Sequence, residues 1–262
     1  MIEFKKNGLV IHEYDLEEND KLLIILTEKF GKVPVIVKGG KSLKNRHLPC
    51  CQLFAYSSFS LRKRGNYYYI VESDLIESYF NVRTDIIKFA LASYICEVAN
   101  DVCQEGNNDD NILRLLLNTL HLISNDIKPL EFIRASFEMR MCYELGFAPN
   151  IEQCSVCGNL INSDCFLDIF DGVVICSKCR EQANYSISEI NYTDQGVAKP
   201  FIQISSAVVQ AILYIVNAKP ERFTAFNIEN SELDMFYNAC EKFLLNHLER
   251  GFTSLDFYKS VI

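Results

Sequence analysis

Four cysteines in the middle of the chain constrain its fold more than any other feature. Cys154-Ser-Val-Cys157 is followed, after eighteen intervening residues, by Cys176-Ser-Lys-Cys179. A C-x2-C pair sets two thiolates on one tight knuckle, and a second knuckle returned by a hairpin completes a tetrahedron of sulfurs. The pattern predicts one structural Zn2+ ion held by Cys154, Cys157, Cys176 and Cys179, because four thiolates suit zinc and leave no open position for a reacting water. Asp171-Gly172 is the turn signal between the pairs, with strands expected over Phe166–Phe170 and Val173–Ile175. A disulfide pair and a redox C-x-x-C are the competing readings, and two pairs at this spacing disfavour both. Cys165 falls between the knuckles at the wrong spacing and reads as a small packing residue. A module of about thirty-five residues is too small for a core of its own, so metal binding is expected to contribute to its folding. We place the module at 151–184, inserted in a larger body.

The chain has 262 residues, nearly half of them apolar (49%), enough for a sizeable core. Eleven cysteines could suggest a secreted disulfide scaffold, but the count is odd and four have metal spacing. A reducing, cytoplasmic compartment fits better. The opening Met-Ile-Glu-Phe-Lys-Lys leads into no long apolar run, so neither a signal peptide nor a transmembrane helix is expected.

A net charge of −8 would argue against a polyanionic partner if it were spread evenly. It is not. Residues 1–80 hold twelve Lys and Arg against ten Asp and Glu, while the rest hold fourteen against twenty-four. From Lys29 to Val71 there are nine basic residues and no acidic one. Such asymmetry points to a local surface for a polyanion.

Five short β-rich runs fill residues 1–80: Gly8–Tyr14, Leu22–Thr27, Val33–Val37, Gln52–Leu61 and Tyr67–Val71. Five strands in that length predict a small closed barrel of the OB-fold type, whose face and loops bind oligonucleotides. The third link, Lys38 to Arg46, and the fourth, Arg62 to Asn66, carry the cations. The candidate DNA-binding set is Lys32, Lys38, Gly39, Gly40, Lys41, Lys44, Arg46, Arg62, Lys63 and Arg64: cations for phosphates, glycines for close backbone approach. A merely solvated basic loop is the bland alternative. The loop lacks G-x-x-x-x-G-K-[ST], so no Walker site is expected. Alternation puts Tyr67 and Tyr69 on one face of their strand and Tyr68 on the other.

Helical periodicity follows at Ile86–Val98, capped by Thr84 or Asp85, at Ile112–Ile123, and at Leu130–Leu145 behind Pro129. After a polar, turn-rich stretch at 184–196, it returns at Ala207–Val216 and at Glu232–Leu248, with Ser231 as its cap. The expected fold class is therefore α+β and multidomain: a five-stranded OB-fold barrel at 1–80, then an all-α helical domain in two parts, 81–150 and 185–262, with the four-cysteine zinc module between them.

Nothing selects a catalytic centre. The four histidines stand singly, and no H-E-x-x-H, nucleophile elbow or dinucleotide fingerprint occurs. A Cys–His pair brought together in space would make a thiol enzyme, one rival reading. An RNA-binding or transcription-associated OB-fold/zinc protein is the other.

The order of a basic small barrel, helices, C-x2-C…C-x2-C and more helices resembles the RecO family of bacterial recombination mediators. Local sequence agrees: Gly8-Leu-Val-Ile-His-Glu-Tyr-Asp15, Leu26–Gly31 with Val35–Arg46, and Phe132–Leu145 running into Gly146–Cys154 all resemble family segments. The family's basic segment near the C-terminus is not matched, since Gly251–Lys259 carries little positive charge. The resemblance implies a non-enzymatic role in DNA repair. It implies binding of single- and double-stranded DNA and annealing of complementary strands. It further implies that the protein, with RecR, assists RecA loading on DNA coated by single-strand-binding protein, whose acidic C-terminal tail such proteins can engage.

Overall fold

The computed structural model describes residues 3–16, 19–182 and 201–262. The turn-rich stretch at 184–196 and the module boundary at 184/185 lie outside the described residues. Two compact units emerge, one formed by residues 1–127 with Phe252–Ile262, the other by Lys128–Gly251.

In the first unit, strands β1 (Glu3–Leu16), β2 (Asp20–Thr27), β3 (Gly31–Val37), β4 (Tyr56–Arg64) and β5 (Tyr67–Glu77) close into a barrel of order β1-β2-β3-β5-β4. β1 is long enough to pair with two neighbours. It meets β4 through its first half and β2 through its second, with an irregularity between Val10 and His12. β3 and β5 close the seam in parallel, pairing only Val35 with Tyr68 and Ile36 with Tyr69. Burial alternates along β3: Val33, Val35 and Val37 are buried, while Lys32, Pro34 and Ile36 are partly exposed. The buried valines join Val10, Leu23, Ile25, Phe59, Leu61 and Tyr68 in one core. Each fully buried aliphatic side chain of this kind contributes about 1.5–3 kcal/mol.

Several boundaries differ from expectation: β1 already begins at Glu3, not Gly8, and β5 runs on to Glu77, not Val71. β4 begins at Tyr56, not Gln52, because a 3-10 turn at Leu48–Cys51 and a left-handed Phe54 (φ 68°) occupy the lead-in. Phe54 N–H there donates to Val10 O, and Val10 N–H to Ala55 O, which ties the link to β1. Arg62, Lys63 and Arg64 are strand residues, not loop residues, because the β4–β5 connection is only Gly65-Asn66, with Gly65 at φ 61°.

Helices α1 (Phe80–Thr84), α2 (Ile86–Val102) and α3 (Asp110–Ser124) complete this unit with the C-terminal α8 (Thr253–Val261). Asp85 caps α2 by accepting from the N–H groups of Ile87 and Lys88. Tyr94 of α2 meets Phe252 edge-on at 5.7 Å, and Ser254 donates to Glu97, which docks α8. The β2–β3 turn approaches the α2–α3 link so closely that a Cβ on Gly31 would lie 1.9 Å from Gln104 O.

The second unit contains α4 (Leu130–Glu144), α5 (Ser177–Gln182), α6 (Ser206–Asn217) and α7 (Leu233–His247). It also holds a four-stranded sheet of order β6-β8-β7-β9, from Asn150–Cys154, Val173–Cys176, Cys165–Asp168 and Phe201–Ile204. Ser205 caps α6 through Val208 N–H. Ser231 does not cap α7: it lies in a 3-10 turn, Asn230–Glu232, and the helix starts at Leu233. α4 is buried on nearly every side, polar residues included. Its Arg134 pairs with Glu131, Glu138 and Glu241, each at 2.8 Å, and Arg140 pairs with Glu144 while donating to Ile215 O and Ala218 O at the end of α6. Among the described residues, no helix is long and apolar enough to cross a membrane.

Candidate nucleic-acid interface and metal centre

The metal centre is built by two knuckles at one end of the β6-β8-β7 layer. Cys154 ends β6, and Cys157 follows within a tight turn closed by Gly158 N–H donating to Cys154 O at 2.9 Å. Cys176 ends β8, and Cys179 lies one turn into α5. Antiparallel pairing of Leu167 with Val174 and Phe166 with Ile175 forms the hairpin that returns the second knuckle to the first. The four Sγ atoms all lie within 4.8 Å of one another, with Cys157 and Cys176 3.9 Å apart. Sulfurs bonded tetrahedrally at about 2.3 Å would be about 3.8 Å apart, so the set can hold a metal ion.

Burial acts to raise the Cys154 pKa, but backbone N–H groups of Cys176, Cys157 and Val156 outweigh it and bring the thiol down to about 6. Hydrogen bonds to Cys157 and Cys176 push Cys179 the other way, to about 12. A thiolate already favoured at Cys154 is what a metal knuckle requires. Cys165 is buried and stands outside the four-sulfur cluster, as a packing thiol would; burial, then Asp164, raise its pKa to about 12.

The barrel sorts the predicted cations into two groups. The phase of β4 decides much of it, since Arg64 faces Tyr67, Lys63 faces Tyr68 and Arg62 faces Tyr69 across the ladder. Arg62 and Arg64 therefore emerge on the outer face with Tyr67 and Tyr69, and Lys63 goes with the buried Tyr68. A groove of about 440 Å³ runs along the β3–β5 seam. Lys38, Arg46, Arg62 and Arg64 line it, and no carboxylate does among the described residues. Tyr69 forms part of its wall, with the Arg64 guanidinium 5.6 Å from the ring centroid. Ile36, Ile70 and Val71 supply its apolar surface.

The other predicted residues are engaged elsewhere or lie outside the groove. Lys32 donates to Asn100 O on α2. Lys63 pairs with Glu105 at 2.9 Å beside the Tyr68 hydroxyl, which donates to the same carboxylate. Lys41 pairs with Asp15 at 3.3 Å, and Lys44 is exposed on the loop. Gly39 and Gly40 shape the loop from within: Gly39 N–H donates to Asp20 Oδ1 (2.8 Å) and Gly40 N–H to Val37 O (3.2 Å). Sequence reasoning missed His47 and Tyr69 as groove residues. Alternation put Tyr69 on the face opposite Tyr68 without telling which face is outer, and nothing local marked His47.

A closed five-stranded barrel with a cationic groove, in one chain with four cysteines at metal-binding distance, defines the class: a small-barrel protein that carries a candidate metal module. Comparison with known proteins gives the family. The profile described as Recombination protein O N terminal matches residues 1–79, and that described as Recombination protein O C terminal matches residues 83–192. DNA repair protein RecO of Acetivibrio thermocellus is 30% identical over 258 residues, covering 98% of this chain and 96% of that protein. The Alkaliphilus metalliredigens protein of the same name is 26% identical, covering 98% and 99%. That of Clostridium acetobutylicum is 28% identical over 190 residues, covering 72% and 77%. The chain belongs to the RecO family of DNA repair proteins.

Proposed function

We propose that this protein is a non-enzymatic recombination mediator that binds single- and double-stranded DNA in the β3–β5 groove and anneals complementary strands. The observation that carries the reading is the groove itself: Lys38, Arg46, Arg62 and Arg64 around Tyr69, with no carboxylate lining it among the described residues. Cations on one surface neutralise phosphates and release counterions. Two strands drawn to the same surface repel each other less, so pairing is favoured and no nucleotide cofactor is required. Tyr69 offers a π-face against which a base can stack. Lys41 and Lys44 extend this path by electrostatics more than by contact, and Gly39 and Gly40 shape the loop that carries them.

The four cysteines hold one structural Zn2+ ion in this reading; thiolate donors and tetrahedral spacing are what zinc prefers. The division of labour follows the sequence: residues 1–80 bind DNA, 151–184 hold the metal, and the helical parts at 81–150 and 185–262 serve partners. Family membership supports action with RecR, assistance to RecA, contact with the acidic tail of single-strand-binding protein, and a cytoplasmic site of action.

The test is annealing of complementary oligonucleotides by the zinc-loaded protein without ATP, with matched RNA strands as a second arm. Fast annealing, with affinity that falls as salt rises, supports the reading. No DNA binding even at low salt sinks it, and tighter binding of RNA would move the protein to RNA metabolism.

A further inference from the structure

Arg46 differs from the other groove cations in how it is held. Its Nε–H donates to His47 Nε2 at 3.0 Å, and its Nη2 donates to Val71 O at 2.9 Å. His47 Nδ1 lies 2.7 Å from Ser73 Oγ. The direction of the bonds fixes the tautomer. Because Nε2 accepts from Arg46, the ring proton resides on Nδ1 and is donated to Ser73. Burial, then the Arg46 charge, lower the His47 pKa below its ordinary value, which keeps Nε2 available as an acceptor near neutral pH. The backbone beneath is also pinned, since His47 N–H donates to Asn45 Oδ1 (2.9 Å) and Asn45 Nδ2 donates back to Lys38 O and Gly39 O. Arg46 itself is exposed and lines the groove. Of its five N–H donors, two are committed to the protein, which leaves the others for an incoming oxygen.

We infer that His47 is a positioning residue for strand binding: its Nε2 holds the Arg46 guanidinium in the orientation that meets a phosphate, and Ser73 holds the His47 ring. The inference rests on the reading of the groove as the DNA-binding surface. A long, flexible cation in water loses conformational entropy when it binds. Two crossed hydrogen bonds have already removed that freedom from Arg46, so less is lost on contact. The relay therefore marks Arg46 as the point that fixes the register of the strand.

The experiment is a double-mutant cycle on the full, zinc-loaded chain, read by fluorescence anisotropy of a labelled oligothymidylate at low salt. Arg46→Gln and His47→Leu should each weaken binding by about tenfold, the size of one charge-assisted hydrogen bond. In the Arg46→Gln background, His47→Leu should have no further effect. His47→Gln, which can present an amide oxygen near the Nε2 position, should recover most of the affinity, and Ser73→Ala should weaken binding in the same direction but less. Melting temperature is measured on every variant, and the cycle is read on those that melt like the wild type. Should His47→Leu misfold, Ser73→Ala in the two Arg46 backgrounds completes the cycle. An equal loss from His47→Leu with and without Arg46 would mean that His47 touches DNA on its own, and overturns the positioning role. So would wild-type binding by His47→Leu when Arg46→Gln binds weakly. Wild-type binding by Arg46→Gln and Arg62→Gln alike would instead overturn the groove reading itself.

Discussion

Replacing Arg46 and Arg62 together by Gln should change the salt dependence of DNA binding by an amount set by the groove. On single strands, each phosphate neutralised contributes about 0.7 to the slope of log affinity against log salt, so four groove cations give a slope of about −2.8. All eight cations of the candidate DNA-binding set acting together would give about −5.6. The structure favours the smaller value because Lys32 is held by Asn100 O and Lys63 by Glu105. Lys41, paired with the exposed Asp15, is tied only weakly, and Lys44 can add to the slope. The double variant should therefore bind with a slope shallower by about 1.4. Lys32→Gln and Lys63→Gln together should leave the slope unchanged. The assay is anisotropy titration of a labelled single strand across a salt series, with thermal melting as the control for fold. A slope unaffected by loss of Arg46 and Arg62, or one that falls equally when Lys32 and Lys63 are lost, would refute the sorting of the cations.

Further outcomes are expected elsewhere in the molecule. Cys176→Ser should lose its metal, read by elemental analysis, and destabilise the second unit by about 4 kcal/mol, the range for loss of a structural metal; an unchanged melting temperature would exclude bracing by the ion. Glu105→Ala should cost about 1 kcal/mol through the lost Tyr68 hydroxyl bond. Burial raises the Glu105 pKa, but hydrogen bonds from Lys63 and Tyr68 bring it below the ordinary carboxylate value. A carboxylate with a depressed folded pKa stabilises above its unfolded pKa, and that stabilisation is lost as pH falls through the folded value. The melting difference between wild type and Glu105→Ala should therefore narrow on acidification, and a difference constant down to pH 3 would contradict the assignment. Burial raises the Cys51 thiol to about 12 and Cys96, Cys142 and Cys240 upward as well. Alkylation at pH 8 should spare all four in the native protein and reach the knuckle cysteines once a chelator is added; fast labelling of any of the four would revive a thiol-enzyme reading.

The four-cysteine cluster was legible because its geometry is local. Two residues between paired cysteines set each knuckle, and one short hairpin joins the knuckles, so spacing alone carries the site. The barrel was legible for a similar reason, since alternation along β3 and β5 matches what is buried in its core. Long-range pairing is where the sequence fell silent. Nine cations between Lys29 and Val71 look alike in a line. Which of them share a groove depends on the parallel seam of β3 with β5 and on the phase of β4, and that phase turns on a two-residue connection in place of a five-residue loop. A shift of one residue there would exchange Lys63 with Arg62 and Arg64 and empty the groove of half its charge. α4 was legible as a helix, but the burial of its charges was not, for a different reason. A periodic reading puts Arg134 and Glu138 off the apolar face, yet both are buried, because Arg134 pairs with Glu138 and with Glu241 on α7. His47 combines both difficulties. Its role depends on Ser73, twenty-six residues away on β5, and on the adjacent Arg46 turning back toward its ring. Residue types marked the basic stretch as a binding surface, but only the closure of the barrel selects the cations that can act on one strand at the same time.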